Sequence, residues 1–189
     1  MNEPEPEITG YWIESQRGKK NSVDPYRPYA ITVEKEFAGS GKVEDTDVVF
    51  LTNRECPYRC LMCDLWKNTT DDTVPAGAIP EQIKWALGHL PAAKHLKLYN
   101  SGSFFDRKAI PSEDYKSIAD LVSGFETVIV ESHPRLVDSG CLRLRDMLKP
   151  ELQVAMGLET VHPEVLRRLN KMMTSDDFRK SAGFLRKNG

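Results

Sequence analysis

The sequence predicts an α/β fold, a partial (β/α) barrel cut short after about four strands. From about residue 47, short apolar runs alternate with helical segments, the pattern of parallel strands joined by helical crossovers. The strand runs are apolar throughout, as expected of strands with helices on one face and a packed interior on the other. A closed eight-fold barrel takes about 250 residues, and this chain has 189.

Residues 1–45 read as an N-terminal extension with little periodicity, punctuated by Pro25, Pro28, Gly39 and Gly41. Within it, Tyr11-Trp12-Ile13 and the stretch from Tyr29 to Val33 could pack as short segments, and Arg17-Gly18-Lys19-Lys20 reads as a solvated loop. Residues 46–189 form the barrel portion. Strand one covers residues 47–52. A helix opens at Ile79-Pro80-Glu81, with proline in its first turn and Ile83, Ala86, Leu87 and Leu90 on one face. Strand two covers residues 95–100. Ser112-Glu113-Asp114 caps a helix carrying Ile118, Leu121 and Val122. Strand three covers 127–131, a helix 138–148 and strand four 152–158. His162-Pro163-Glu164 starts a short helix, and Thr174-Ser175-Asp176-Asp177 caps another that stops at Lys187-Asn188-Gly189. A fifth strand is expected after that stop, so the sequence reads as the N-terminal portion of a longer protein.

Composition excludes several classes. Net charge is −2, with 26 basic and 28 acidic residues, so no basic excess argues for nucleic acid. No apolar run is long enough for a membrane helix. The acidic, proline-rich start from Met1 to Glu7 lacks the basic and apolar regions of a secretory signal. Free thiols fit a reducing cytoplasm.

The chemistry lies in Cys56-Pro57-Tyr58-Arg59-Cys60-Leu61-Met62-Cys63, directly after strand one. Thiolates bind soft metals and hold iron–sulfur clusters. Three are one short of the four that fill a [4Fe–4S] cluster, leaving one iron open to a ligand. A zinc site would need a fourth ligand. The remaining cysteine, Cys141, is far along the chain in a helical segment, where it reads as a buried thiol. His89 or His95 could complete a zinc set, though nothing in their spacing suggests it. Polar residues recur at the other strand ends, where barrel sites collect: Asn100 to Asp106, Glu131-Ser132-His133, and Gly157-Leu158-Glu159-Thr160.

The cysteine spacing in that place resembles the radical S-adenosylmethionine (SAM) superfamily, whose cores usually have six strands. The motifs Asn-Ser-Gly-Ser-Phe-Phe-Asp and Gly-Leu-Glu-Thr resemble the branch of the archaeosine synthase radical SAM subunit and the elongator catalytic subunit. The resemblance runs from about residue 47 to the end. It implies a truncated barrel of the radical SAM type and a [4Fe–4S] cluster on Cys56, Cys60 and Cys63, which are both metal ligands and catalytic residues. SAM would bind the open iron and be cleaved reductively to a 5′-deoxyadenosyl radical. The substrate is unidentified, with a tRNA nucleoside among the candidates, and the electron donor is flavodoxin- or ferredoxin-like. By analogy Ser101, Gly102 and Ser103 meet the methionine amino group and Glu159 accepts from the ribose hydroxyls. Met62 stands where the family usually has an aromatic residue beside adenine, and its thioether can still pack on a ring. Glu131 joins the cofactor-binding set by its strand-end position. Glu131 and His133 could also bind substrate or move protons, with a structural role as the alternative. Arg167, Arg168 and Lys171 form a basic patch that suits a helix C-terminus without any RNA. The chain departs from the archaeosine enzymes in lacking their insertion between the first two cysteines. A cluster-binding electron carrier without SAM and a zinc-bound structural module are the other readings.

Overall fold

The computed structural model describes residues 6–189; the first five residues of the acidic N-terminus lie outside the described residues. The architecture is α/β, built on one mixed five-stranded sheet in the order β1-β2-β3-β4-β5. The strands are β1 (Ala30–Phe37), β2 (Val43–Leu51), β3 (His95–Asn100), β4 (Thr127–Glu131) and β5 (Glu151–Ala155). Strands β2 to β5 run parallel, and β1 pairs antiparallel with β2, from Ala30 opposite Phe50 to Phe37 opposite Val43. Among the described residues the sheet stays open, with β1 and β5 at its edges.

The four parallel strands lie close to where the sequence reading puts them, although β2 already begins at Val43, inside the stretch read as extension, and β5 stops at Ala155 while residues 156–158 continue as loop. The sheet gains β1 from the stretch read as an extension. Its sequence, Ala-Ile-Thr-Val-Glu-Lys-Glu-Phe, mixes β-branched and charged residues in near alternation, as an edge strand with one wetter face does. Ile31 packs against the core, while Glu34 and Glu36 reach the Lys97 ammonium on the other face.

Helices α1 (Gly10–Ser15), α2 (Ala78–Leu87), α3 (Tyr115–Leu121), α4 (Ser139–Met147), α5 (Pro163–Arg168) and α6 (Ser175–Asn188) complete the fold. One core joins Val49, Leu51, Leu96, Leu98, Val128 and Val130 of the sheet to Ile79 and Ile83 of α2, Ile118 of α3, and Cys141 and Leu144 of α4. Burying these side chains is the main favourable term in folding. Asp138 caps α4 by accepting from Gly140 N, and a reciprocal Thr174–Asp177 capping box opens α6. Ser112-Glu113-Asp114 does not cap a helix as expected. It forms a 3₁₀ turn ahead of α3, and Asp114 Oδ1 accepts instead from Gly77 N at 3.0 Å, tying the start of α2 to the start of α3. No helix among the described residues is long and apolar enough to cross a membrane.

Candidate functional site

The ends of β2, β3, β4 and β5 converge on a cavity of about 520 Å³. Its walls include Cys56, Cys60, Met62 and Cys63 from the loop after β2, Ser101 and Gly102 after β3, Glu131 at the end of β4, and Gly157 and Glu159 after β5. Parallel strands put all their C-terminal ends on one side, which brings residues a hundred positions apart into one rim. Of the residues singled out from the sequence, Ser103 does not line the cavity. It is fully buried, and its hydroxyl pairs with that of Ser132 at 2.9 Å, joining the loops after β3 and β4.

The loop after β2 is anchored at its root. Gln82 of α2, fully buried, accepts from Thr52 N and donates to Thr52 O, both at 2.8 Å, and donates to Pro25 O at 2.7 Å. Asn53 follows; its Oδ1 accepts from Ser101 N at 3.2 Å and its amide donates to Arg54 O at 2.7 Å. These two amides set the chain leaving β2 against the chain leaving β3. The two come closest at Gly102. A Cβ on Gly102 would lie 3.1 Å from Cys56 Cβ and 3.6 Å from its sulfur, so any larger residue would push on the first cysteine.

All three loop cysteines are free thiols, half-buried. Burial pushes the Cys56 thiol up to about 12, and the neighbouring Cys60 and Cys63 push it the same way. Burial also raises Cys60, against the opposing pull of the Lys171 ammonium. The metal-free loop therefore holds Cys56 and Cys60 as neutral thiols at pH 7, and a metal that binds them must displace protons. Cys141 lies buried on α4 in the core, as expected, and burial raises its thiol to about 11.

Glu131 is largely buried and its carboxyl is raised to about 7 by that burial, against a smaller opposing effect of Lys97. Half its population is then protonated near neutrality, as a donor as well as an acceptor. Glu159 sits in a left-handed backbone conformation, φ 66°, and accepts from the Lys171 ammonium at 2.5 Å. Gly157 makes room for that pair, since a Cβ there would come within 2.6 Å of Glu159 Oε1 and 2.8 Å of Lys171 Nζ.

His133 is a clamp. Its ring stacks on Tyr58, centroids 3.8 Å apart. Nδ1 accepts from Arg135 N at 3.2 Å and Nε2 meets Lys171 O at 2.9 Å. A carbonyl can only accept, so Nε2 carries the hydrogen, and the neutral ring satisfies both bonds. Burial lowers its basicity further.

Sequence reasoning missed Asn53, Gln82, Tyr58 and Lys171. Lys171 reads as one of a basic cluster, yet its side chain is buried and turned into the cavity. The backbone explains why: Asn170 and Met172 both take left-handed conformations, φ 50° and 56°, and His133 holds the Lys171 carbonyl between them. Arg167, by contrast, is exposed and pairs with Glu164 on its own helix.

Among the described residues, no group of three or more His, Cys, Asp and Glu side chains is arranged around one metal ion. The donor set fits a cluster in other respects. Three soft donors sit on one loop, and a glycine cradle backs the first of them.

No family model matches the chain, and no solved structure matches it. It is similar to an uncharacterized protein of Methanocaldococcus jannaschii, 24% identical over 173 residues, which cover 84% of this chain and 47% of that protein. The chain thus spans about half the length of the relative it matches.

Proposed function

We propose that the chain is part of a radical SAM enzyme, with the open sheet as part of a (β/α) barrel of that type. The observation that supports this reading is the convergence of three loop cysteines on one cavity with Ser101, Gly102, Glu131, Glu159 and Lys171. An electron carrier needs the cysteines and has no use for the other five.

Cys56, Cys60 and Cys63 would hold a [4Fe–4S] cluster. The chemistry such a cluster supplies is one-electron reduction of the SAM sulfonium, which yields methionine and a 5′-deoxyadenosyl radical. The chain's own residues bind and orient. Gly102 lets backbone approach the first cysteine closely, and Ser101 offers a hydroxyl beside it. Glu159 presents a carboxylate for a ribose diol, and Lys171 a buried ammonium for a ligand carboxylate. Because these two are paired with each other, a ligand carrying both a diol and a carboxylate could replace one ion pair with two sets of charge-assisted bonds. Met62, 47% exposed at the rim, would cover an aromatic base with its thioether. Glu131 can keep or release a proton near neutral pH. The substrate of the radical is unidentified, and a tRNA nucleoside is the first to try. A flavodoxin- or ferredoxin-like protein would supply the electron.

The test is anaerobic reconstitution with iron and sulfide, followed by electron paramagnetic resonance of the reduced protein with and without SAM. A [4Fe–4S] signal that shifts with SAM is expected, and Cys56→Ala, Cys60→Ala or Cys63→Ala should each abolish it. A signal unmoved by SAM would leave the electron carrier standing, and stoichiometric zinc without iron–sulfur colour would overturn both.

A further inference from the structure

The segment running from α1 to Lys20 lies outside the cavity, yet it is tied to the cysteine loop by a chain of charged contacts. Arg17 Nη1 meets Glu55 Oε1 at 2.8 Å, and Lys20 Nζ meets Glu55 Oε2 at 2.9 Å. Lys20 also reaches Asp71 at 2.6 Å. Glu14 Oε1 accepts from Arg59 Nε at 2.5 Å, and Arg59 Nη1 lies 3.3 Å from Glu55 Oε1 and donates to the Cys56 carbonyl. The Arg17 guanidinium also stacks 4.8 Å over Trp66, just beyond the last cysteine. Glu55 immediately precedes Cys56 and Arg59 immediately precedes Cys60. The outer segment therefore grips the loop one residue before each of its first two thiols. The central pair is not a surface ornament, because the Arg17 and Glu55 side chains are only 11% and 16% exposed. Exposed ion pairs hold little, whereas desolvated ones resist separation once formed.

We propose that the segment from Gly10 to Lys20 is a strap that positions the cysteine loop through Glu14, Arg17 and Lys20. A loop that must present three sulfurs at once loses conformational entropy when it does so, and a strap that orders it beforehand removes that cost from ligand binding. Ile13, buried on α1, anchors the strap to the body. Arg59 works from the loop's own side, its guanidinium holding the Cys56 carbonyl and both strap and loop carboxylates together. The purpose assigned to the strap rests on the cluster reading above; its mechanical action does not.

The experiment is amide hydrogen exchange of residues 55–63 in the metal-free protein, for the wild type, Arg17→Met, Glu55→Gln and the double variant. Each single change is expected to speed exchange of the loop about tenfold. The double variant should add little to Glu55→Gln, because that change already removes the carboxylate that Arg17 meets along with the charge that Lys20 and Arg59 share. Exchange in β3 and β4 should stay as in the wild type, which a general loss of stability would not allow. Glu14→Gln, at an exposed site, is the variant that tests the strap if the buried changes prevent folding, with an expected rise of about threefold confined to residues 57–61. Loop exchange unchanged in these variants, or raised equally in β4, would overturn the proposal. Iron and sulfide per chain after reconstitution give the second readout, expected to fall in the strap variants. The exchange effects in the variants, together with a wild-type chain that takes up no iron, would sink the cluster reading and uphold the strap.

Discussion

At the scale of single residues, Glu131 gives the most direct handle on the site's electrostatics. Its carboxyl is raised from the usual 4.5 to about 7 by burial. Between those two values the folded state binds more protons than the unfolded state, so stability falls as pH rises through that window. Below the lower value the group is protonated in both states and contributes nothing. Glu131→Gln removes the effect. In the metal-free protein the variant should match the wild type near pH 4 and exceed it above pH 7, by up to about 3 kcal/mol for the full shift. Urea denaturation at a series of pH values measures the difference, and parallel profiles for the two proteins would show that Glu131 stays well solvated. His133 works the other way round. Its ring is neutral in both its hydrogen bonds and stacked on Tyr58, so it serves as a clamp on the cysteine loop and the Lys171 carbonyl. The proton transfer considered from its residue type alone has no free nitrogen to use.

At the scale of elements, the site depends on how α2 grips the end of β2. Gln82 is fully buried and serves both backbone groups of Thr52, where a β-strand would otherwise leave them unpaired as the chain turns away. Gln82→Leu keeps the volume and removes the bonds. Leaving two buried backbone groups unsatisfied costs about 2–4 kcal/mol, so the denaturation midpoint should drop accordingly, while Gln82→Glu should recover part of the loss through the acceptor to Thr52 N. A midpoint unchanged in Gln82→Leu would mean that water replaces the amide. Such contacts explain what could be read from the sequence and what could not. Strands β3 and β4 were legible to the residue, because each is an apolar run bounded by turn signals. The cysteine loop was legible because its three thiols are close in sequence. Gln82 and Asn53 were not, since a buried amide looks like any polar residue until its partners, 30 and 48 positions away, are brought to it. Lys171 was misread for a related reason: its direction is set by two left-handed residues and a histidine 38 positions upstream, none of which leaves a mark in local composition. Strand β1 was half legible, as an apolar segment without its antiparallel partner. Arg17 and Lys20 looked solvated because the carboxylate they share, Glu55, lies in another part of the chain.

At the scale of the whole molecule, the open sheet determines how the chain should behave in solution. On β5, Glu151 N bonds to Glu126 O and Ala155 O accepts from Ser132 N. Residues 151, 153 and 155 therefore turn their backbone groups toward β4, and Leu152 and Val154 turn theirs to the free edge. Among the described residues no strand pairs with that edge. Unpaired edge groups are a template for another strand. In the barrel proposed above the next strand would occupy this edge; for residues 1–189 on their own the simplest partner is a second copy, and a two-fold pairing of β5 with itself places the central residue, Gln153, opposite its own copy. The chain should therefore show a concentration-dependent dimer by analytical ultracentrifugation. Gln153→Lys should abolish it, because like charges directly opposite on paired strands repel, while the exposed side chain of residue 153 leaves the core untouched. The edge adjoins the site, since β5 runs straight into Met156, Gly157 and Glu159 of the cavity wall. Pairing at β5 would thus shield one flank of the cavity, and ligand affinity should rise with protein concentration in the wild type and stay flat in Gln153→Lys. A wild-type chain that remains monomeric at every concentration would show that the loop after β5 already protects this edge.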